Sequence, residues 1–287
     1  GGLWLDFRAE EPNLVSNQNF GFTALAISQS EFPFVWSSVR VNEKTYPVNA
    51  KLSNVYTEIS DTIPAPKATS TPYWLAEKND GNWFIVKNRS FISQPKNAPV
   101  LTANFIFETA AGTIEFERPL LYKWTDRVRG ELYRNVNVVE PISIAFDKKV
   151  SLAKNNSVLV RITGNAAITS GKVQLIWDNG NIASEISTFS DLQKNQTIPL
   201  EIILVNANSG NGLLHAKVWE NNSETFTHSL VEIAYPHIHT QVILPEAEVK
   251  ILTEKIKVTR KNIGYIMGSG DEIPEALSQL GCAVTYV

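Results

Sequence analysis

The sequence predicts an all-β protein: two tandem β-sandwich domains of the immunoglobulin or fibronectin-III type, followed by the first βαβ unit of a truncated α/β domain. Short runs alternate between apolar and polar residues, and turn-forming Asn, Gly, Pro and Ser recur about every ten residues. No segment before Val249 keeps a helical period over three turns. With 287 residues, 43% of them hydrophobic, the chain has enough apolar material for two cores.

The first half of the chain contains strand candidates separated by polar turns. Residues 20–27 and Val35–Val41 carry β-branched and aromatic residues, and a polar turn follows at residues 42–44. Residues 101–108 alternate clearly, and a glycine turn leads from them into residues 113–117. This last pair is therefore predicted to be a β-hairpin.

The second half repeats this pattern. Turns rich in Asn and Gly at residues 178–181 and 206–211 separate the runs, and one helical turn is predicted at residues 190–196. The strand candidates share alternation and β-branched residues, and they are Ile142–Phe146, 158–162, 172–177, 198–205, Gly212–Glu220 and 229–235.

Changes in composition divide the chain into three segments. The pattern becomes charged and loosely alternating at residues 125–141, which places a boundary there between a first sandwich at 1–128 and a second at 129–247. Pro245 precedes a further charged stretch, so residues 248–287 are assigned to a linker plus the βαβ unit.

The last segment has the pattern of a single βαβ unit. Residues 262–267 are predicted to form a buried strand, and a turn with two glycines follows at 268–270. Asp271 is predicted to cap a helix over 272–280, which leads to a second strand at 283–287. One such unit cannot bury both faces of its strands, so the parent chain is expected to continue beyond this segment.

Charge and composition exclude several classes of partner. A net charge of −3 gives no electrostatic reason to expect nucleic acid or an anionic membrane as partner. No stretch approaches the roughly 20 apolar residues of a membrane span. Cys282 is the single cysteine, so neither an intrachain disulfide nor a cysteine metal cluster can form, and it is predicted to be a small hydrophobic core residue.

No catalytic motif is found, so the chain is predicted to be non-catalytic, without a metal site or a cofactor. Neither a G-x-S-x-G nucleophile elbow nor an H-E-x-x-H zinc motif occurs. His237 and His239 share one side of a predicted strand, but structural or surface histidines are the favoured interpretation. Gly268 and Gly270 begin a dinucleotide fingerprint whose third glycine position holds Ile273, so helix capping is favoured over phosphate binding.

Loop aromatics give the one positive signal for a ligand. Tyr73, Trp74 and Trp83 follow a proline-rich connection and lie in or near predicted loops, where exposed rings could stack on sugars or dock a neighbouring domain. The alternative, which is favoured, is that they plug the ends of the sandwich. Three other tryptophans fit strand alternation and are predicted to be core or inter-sheet residues: Trp124, Trp177 and Trp219.

Three stretches together resemble the downstream region of large Bacteroidetes-type PIG-L (LmbE-like) deacetylases. They are TPYWL at residues 71–75, RGELYR at 129–134 and IGYIMGSGDEIP at 263–274, and the resemblance extends in order along essentially the whole chain. In that family a zinc-dependent N-acetylglucosaminyl deacetylase domain precedes β-sandwich domains and a C-terminal domain similar to class I glutamine amidotransferases. The family's His-Pro-Asp-Asp type of motif is not found here, so no catalytic residue and no zinc ligand is carried over.

The resemblance implies a secreted or periplasmic accessory region that spaces the upstream deacetylase domain from the downstream α/β domain and assists carbohydrate binding. Glycan binding predicts two coplanar exposed aromatic rings in a groove. One alternative is a structural linker or interaction module without a ligand, which predicts that Trp74 and Trp83 are buried. A second is an enzymatic role in which the βαβ segment completes an active site of another chain.

Overall fold

The computed structural model describes residues 2–77, 81–152, 156–205, 211–220, 224–253 and 256–287. Up to residue 141 the strands run in the order β1 (Leu3–Ala9), β2 (Asn13–Val15), β3 (Asn19–Ser28), β4 (Val35–Val41), β5 (Lys44–Lys51), β6 (Thr57–Pro64), β7 (Thr102–Thr109), β8 (Gly112–Pro119), β9 (Leu121–Asp126), β10 (Gly130–Asn135) and β11 (Asn137–Val139), with one 3₁₀ turn at Arg89–Phe91. The remaining elements are β12 (Ile142–Phe146), β13 (Val150–Leu152), β14 (Ser157–Gly164), β15 (Ile168–Trp177), β16 (Ser187–Leu192), β17 (Thr197–Ile203), β18 (Gly212–Glu220), β19 (Thr225–Phe226), β20 (Val231–Ile233), β21 (Gln241–Ile243), β22 (Glu248–Leu252), β23 (Asn262–Tyr265), helix α1 (Ile273–Gln279) and β24 (Ala283–Tyr286).

The chain forms two compact units. The first contains the described residues up to Pro141 together with Leu230–Leu244, and the second contains Ile142–Ser229 and Pro245–Val287. The predicted boundary after residue 128 falls inside the hairpin of β9 and β10, whose residues pair from Gly130↔Asp126 to Asn135↔Leu121. Because this pairing completes one sheet, the first unit extends beyond that position.

The first unit is a β-sandwich. A five-stranded sheet, β10-β9-β1-β3-β6, faces a four-stranded sheet, β5-β4-β7-β8. Alternate residues of β7 are buried. Trp36 of β4 stacks on Phe105 of β7, with 5.3 Å between the ring centroids. Phe22 of the five-stranded sheet meets Tyr46 of the other edge to face at 5.6 Å. The strands predicted at 20–27, Val35–Val41 and 101–117 are confirmed, since alternation drives these side chains into one core.

A hairpin from far along the chain belongs to the first unit. Strand β20 pairs antiparallel with β21, and the excursion that contains them is clustered with the first unit. Arg134 of β10 donates to both carboxylate oxygens of Glu232 in β20, at 2.8 and 3.3 Å. The strand predicted at 229–235 is therefore shorter than expected, because residues 234–240 form the turn of this hairpin.

The second unit is also built from two sheets. A three-stranded sheet, β12-β14-β17, accompanies a larger sheet in the order β13-β22-β18-β15-β16, with β19 on β18. Ile144 and Ile162 of the smaller sheet are buried, as are Leu175 and Val218 of the larger one. The predicted helical turn at 190–196 is wrong: β16 runs to Leu192 and pairs with β15, because ladder hydrogen bonds and the burial of apolar side chains outweigh weak local helix propensity.

The last elements form a parallel strand pair with a helix between them. Strands β23 and β24 pair in parallel from Asn262↔Ala283 to Tyr265↔Tyr286. The Asp271 carboxylate accepts the Ile273 amide at 3.0 Å and the Tyr265 hydroxyl, and this second hydrogen bond raises the pKa of Tyr265 to about 12. The N-cap residue is Glu272, which makes no side-chain capping hydrogen bond, so Asp271 lies one residue before the cap and the prediction that it caps the helix is wrong. This segment clusters with the second unit. Within the described ranges, helices are too short and too polar to cross a bilayer.

Candidate functional site

The aromatic residues proposed from the sequence do not form a flat stacking surface. The rings of Tyr73 and Trp74 are half-buried and perpendicular, at 90° with 4.9 Å between centroids. Tyr73 is fixed from two sides, since its hydroxyl donates to the Gln94 carbonyl at 3.0 Å and its amide donates to the Asn97 side chain at 2.9 Å. These contacts order the long connection between β6 and β7. Trp83 lies in the same connection and is 75% exposed.

A cleft of about 580 Å³ lies elsewhere in the first unit. Its floor is the face of the β9–β10 hairpin that carries Tyr122 and Trp124. One wall is the hairpin of β20 and β21, and the other wall comes from residues 70–72 and 96–97. All of these belong to one compact unit. The volume is within the usual range of small-ligand sites in proteins.

Two stacked aromatic rings form the floor of the cleft. Tyr122 and Trp124 occupy alternate positions of β9, so both side chains point to the same face, and their rings lie 5.8 Å apart at an angle of 16°. Their cross-strand partners Arg134 and Leu132 share that face and also line the cleft. The sequence assigns Trp124 to the core or the space between the sheets, and it is half-buried. It lies on the core-facing side of the sheet, since Tyr122 on the same face pairs with the buried Ala9 and packs against the core.

The other two tryptophans assigned to the core have different environments. Trp177 is 8% exposed and is confirmed as a core residue. Trp219 is half-buried, since it lies on the opposite face of β18 from the buried residues Ala216 and Val218. Strand alternation alone does not say which of the two faces meets the core.

Polar contacts hold the walls of the cleft in place. The two-pronged contact of Arg134 with Glu232 ties the hairpin of β20 and β21 to β10 at 2.8 and 3.3 Å. The Arg134 guanidinium also lies 6.0 Å from the centroid of the Tyr122 ring. On the other wall, Asn97 donates to the Thr71 carbonyl at 2.7 Å. Ring and amide groups are thus positioned before any ligand enters.

The charge of the cleft is one-sided. Its lining contains Lys96, Arg129 and Arg134, and no Asp or Glu occurs among the described lining residues. Asp126, outside the lining, accepts the backbone amides of Val128 and Arg129, and these hydrogen bonds hold the pKa of Asp126 below its ordinary value. This contact shapes the turn that carries Arg129. Lys96 donates to the Asn135 side chain at 3.5 Å.

The two neighbouring histidines lie in a turn instead of on a strand. His237 and His239 are exposed in the loop between β20 and β21, where the Ile238 amide donates to the Tyr235 carbonyl at 3.2 Å. The predicted arrangement on one side of an extended strand is therefore wrong, because this turn breaks the alternation. His239 and Tyr235 line the cleft.

Reasoning from the sequence missed the cleft because its parts are distant along the chain. Tyr122 and Trp124 precede Tyr235 and His239 by about 110 residues. One signal was present: the aromatic residues alternate on β9 immediately before RGELYR, the stretch that supplies Arg129, Leu132 and Arg134. An aromatic pair at positions i and i+2 defines one face of a strand before its surroundings are known.

Comparisons with known proteins give no family for this chain. No family model matches it, and no curated protein matches it. Among solved structures it is similar to the D0-D1 domain of intimin (10% identity, TM-score 0.26, covering 86% of this chain and 98% of the other). It is also similar to fibronectin(III)-like modules of Clostridium thermocellum CbhA (10% identity, TM-score 0.21, covering 87% and 94%). The I67–I69 fragment of titin matches at 9% identity, with a TM-score of 0.25 and coverage of 93% and 71%.

Proposed function

We propose that this chain is a non-catalytic accessory region of a secreted or periplasmic carbohydrate-active hydrolase, and that the cleft of its first unit binds glycan. The resemblance of its three sequence stretches to PIG-L-type deacetylases supports this setting. In this proposal the units are two immunoglobulin- or fibronectin-III-like sandwiches, and residues 262–286 begin an amidotransferase-like α/β domain. An upstream zinc-dependent N-acetylglucosamine deacetylase domain and the downstream α/β domain are the partners, and this segment carries no cofactor.

The observation that carries the glycan proposal is the nearly parallel pair of rings on the floor of the cleft. Tyr122 and Trp124, 16° from parallel, offer a flat apolar surface of the kind that the C–H face of a sugar ring can cover. Asn97, Asn135 and Gln241 line the cleft and offer amide groups, which both donate to and accept from sugar hydroxyls. The proposal thus moves the stacking role from Tyr73, Trp74 and Trp83 to Tyr122 and Trp124.

The cationic lining favours an acidic sugar over a neutral one. Lys96, Arg129 and Arg134 line the cleft, so a carboxylate or sulfate group on a glycan would enter a positive field. Since Arg134 is already paired with Glu232 and Arg129 with Asp126, the preference depends chiefly on Lys96. We therefore expect an oligosaccharide that alternates N-acetylglucosamine with glucuronic acid to bind more tightly than a chitin oligomer of equal length.

A structural linker without a ligand is the second candidate function. The half-burial of Trp74 and its edge contact with Tyr73 favour it, because these rings order the connection between β6 and β7. The 75% exposure of Trp83 counts against it, because a linker role predicts that this ring is buried.

The test is binding of the two oligosaccharides to the whole chain by isothermal titration calorimetry. Trp124→Ala is expected to weaken binding at least tenfold, whereas Trp4→Ala is the matched control, since Trp4 is 54% exposed in the same unit and does not line the cleft. Trp74→Ala and Trp83→Ala test the residues proposed from the sequence. Circular dichroism and thermal unfolding of each variant check that the fold is retained.

Each outcome separates the candidate functions. Loss of binding in Trp124→Ala alone supports the cleft as the glycan site. Equal binding of neutral and acidic sugars would remove the charge preference and leave the glycan site standing. No heat of binding with either oligosaccharide or with peptidoglycan fragments would leave the structural linker as the function.

A further inference from the structure

A cluster of one histidine and two glutamates lies on the outer face of the larger sheet in the second unit. Strands β18 and β22 are antiparallel, and His215 is the cross-strand partner of Glu248. The ladder continues beyond this pair, since the Ala216 amide donates to the Ala247 carbonyl at 3.0 Å. Ala247 is buried, so Glu246 and Glu248 on either side of it both point outward, to the face that carries His215.

The three side chains converge to the spacing of metal ligands. One ligand atom from each of His215, Glu246 and Glu248 lies within 4.8 Å of the other two. The centre of a triangle with such sides is about 2.8 Å from each corner, whereas Zn²⁺ binds imidazole nitrogen and carboxylate oxygen at about 2.0–2.2 Å. Closing that gap needs side-chain movements of well under 1 Å, and the long glutamate side chains can supply them by small rotations.

From this geometry we propose that His215, Glu246 and Glu248 form a binding site for a first-row divalent transition metal, with Zn²⁺ as the best match. One imidazole and two carboxylates are ligands that Zn²⁺ accepts, and three protein ligands leave one tetrahedral position for water. The imidazole disfavours Ca²⁺ and Mg²⁺, which prefer all-oxygen shells. The site is independent of the glycan cleft, because its residues belong to the second unit.

The strands give the site its rigidity. His215 lies in the middle of β18, between the neighbours β15 and β22, so its backbone is fixed by ladders on both sides. Glu248 lies on β22, and Glu246, two residues before it, is held by an isolated bridge to His228. Sites built on strands are held more precisely than sites on loops. Lys217 and Lys250 share this face of the sheet. Among the described residues, neither lysine forms an ion pair with Glu246 or Glu248.

Two lysines on the same face also define the alternative to a metal site. Lys217 and Lys250 could instead neutralise the two carboxylates in solution, as ordinary solvated surface charges. In that case Zn²⁺ would find no site of useful affinity, since a lone imidazole binds it weakly. The alternative and the proposal therefore differ in a measurable quantity, the affinity for Zn²⁺.

The experiment is isothermal titration of the whole, tag-free chain with Zn²⁺, with Mg²⁺ as the comparison ion. We expect one equivalent of Zn²⁺ to bind and Mg²⁺ to give no heat. His215→Ala and Glu248→Gln should each weaken Zn²⁺ binding at least tenfold. The matched control is His237→Ala, an exposed histidine outside the cluster, which should bind as the parent chain does.

A second readout protects the test against a variant that fails to fold. Zn²⁺ should raise the thermal unfolding midpoint of the parent chain and of His237→Ala, because a ligand that binds only the folded state stabilises it. It should not raise the midpoint of Glu248→Gln, whose side chain keeps its size. Absence of Zn²⁺ binding at millimolar concentration, or loss of binding in His237→Ala with binding retained in His215→Ala, would overturn the proposal.

Discussion

The contact between Gly171 and Phe189 gives a sharp prediction about stability. The two residues are cross-strand partners in β15 and β16, and the Phe189 ring, 8% exposed, lies directly over the glycine. A Cβ atom at position 171 would lie 2.1 Å from the tip of that ring and 2.6 and 2.8 Å from the two adjacent carbons. Real side chains do not tolerate such distances, so Gly171→Ala must displace the ring.

The expected cost follows from what the displacement removes. Overpacking a filled site costs about 1–3 kcal/mol, and a Phe ring moved into water gives up a similar amount of burial. We therefore expect Gly171→Ala to lower the free energy of unfolding of the second unit by about 1–3 kcal/mol. Phe189→Ala should cost about 3 kcal/mol, at the lower end for Phe because β16 is an edge strand.

The double variant tests the reasoning directly. Once the ring is gone, alanine at position 171 has space, and Gly→Ala in a strand should then be neutral or stabilising by about 0.5–1 kcal/mol. The assay is urea unfolding of the whole chain, with hydrogen exchange of β15 amides to assign the transition to the second unit. A coupling between the two substitutions below about 0.5 kcal/mol would refute the steric argument. Gly180→Ala is the control: no side chain lies within 4 Å of its added Cβ, so its cost should be the same in both backgrounds.

Three further predictions concern the first unit. Trp36→Ala, which removes a fully buried ring stacked on Phe105, should lower the free energy of unfolding by about 3–5 kcal/mol in urea unfolding, and a loss below 1 kcal/mol would contradict the assigned core. Burial raises the pKa of Asp6 above the ordinary value of 3.8, so the free energy of unfolding falls as pH rises from 3.8 through the folded-state pKa. Asp6→Asn should therefore raise the free energy of unfolding at pH 7 and leave it unchanged at pH 2.5. A hydrogen bond from Lys44 is the largest cause that lowers the pKa of Asp61 to about 2, so this stabilisation is present above 3.8 and lost as pH falls towards 2. In Lys44→Met an NMR titration should find the Asp61 pKa raised towards 3.8, and an unchanged value would exclude Lys44 as the cause.

Alternation predicted individual strands well because burial on one side of a sheet imposes a period of two. Gly212–Glu220 and Ile142–Phe146 are strands with the bounds that the sequence predicts, and Gly212–Glu220 buries alternate residues at Leu214, Ala216 and Val218. The prediction of a helical turn at 190–196 is wrong because the polar residues of this stretch hide the pairing of β16 with β15, which buries Phe189 and Leu192. Local patterns contain no information about such partners.

The candidate site was harder to predict than the fold. Trp124 alternates as a core residue does, and only the assembled sheet shows that it is half-buried and lines a cleft. In the same way, His215 and Glu248 are 33 positions apart and meet through the register of β18 with β22. Register depends on the whole sheet, so neither site follows from the sequence of one strand.

The chain passes between the two units three times, after residues 141, 229 and 244. The Ser229 amide donates to the Pro245 carbonyl at 2.9 Å, so the excursion that holds β20 and β21 leaves and returns at one point. During synthesis from the N-terminus, the β9–β10 floor of the cleft is made more than 90 residues before its second wall. The first unit therefore cannot complete its binding surface until most of the second has left the ribosome, and a ligand for the cleft would be excluded from the nascent chain until that point.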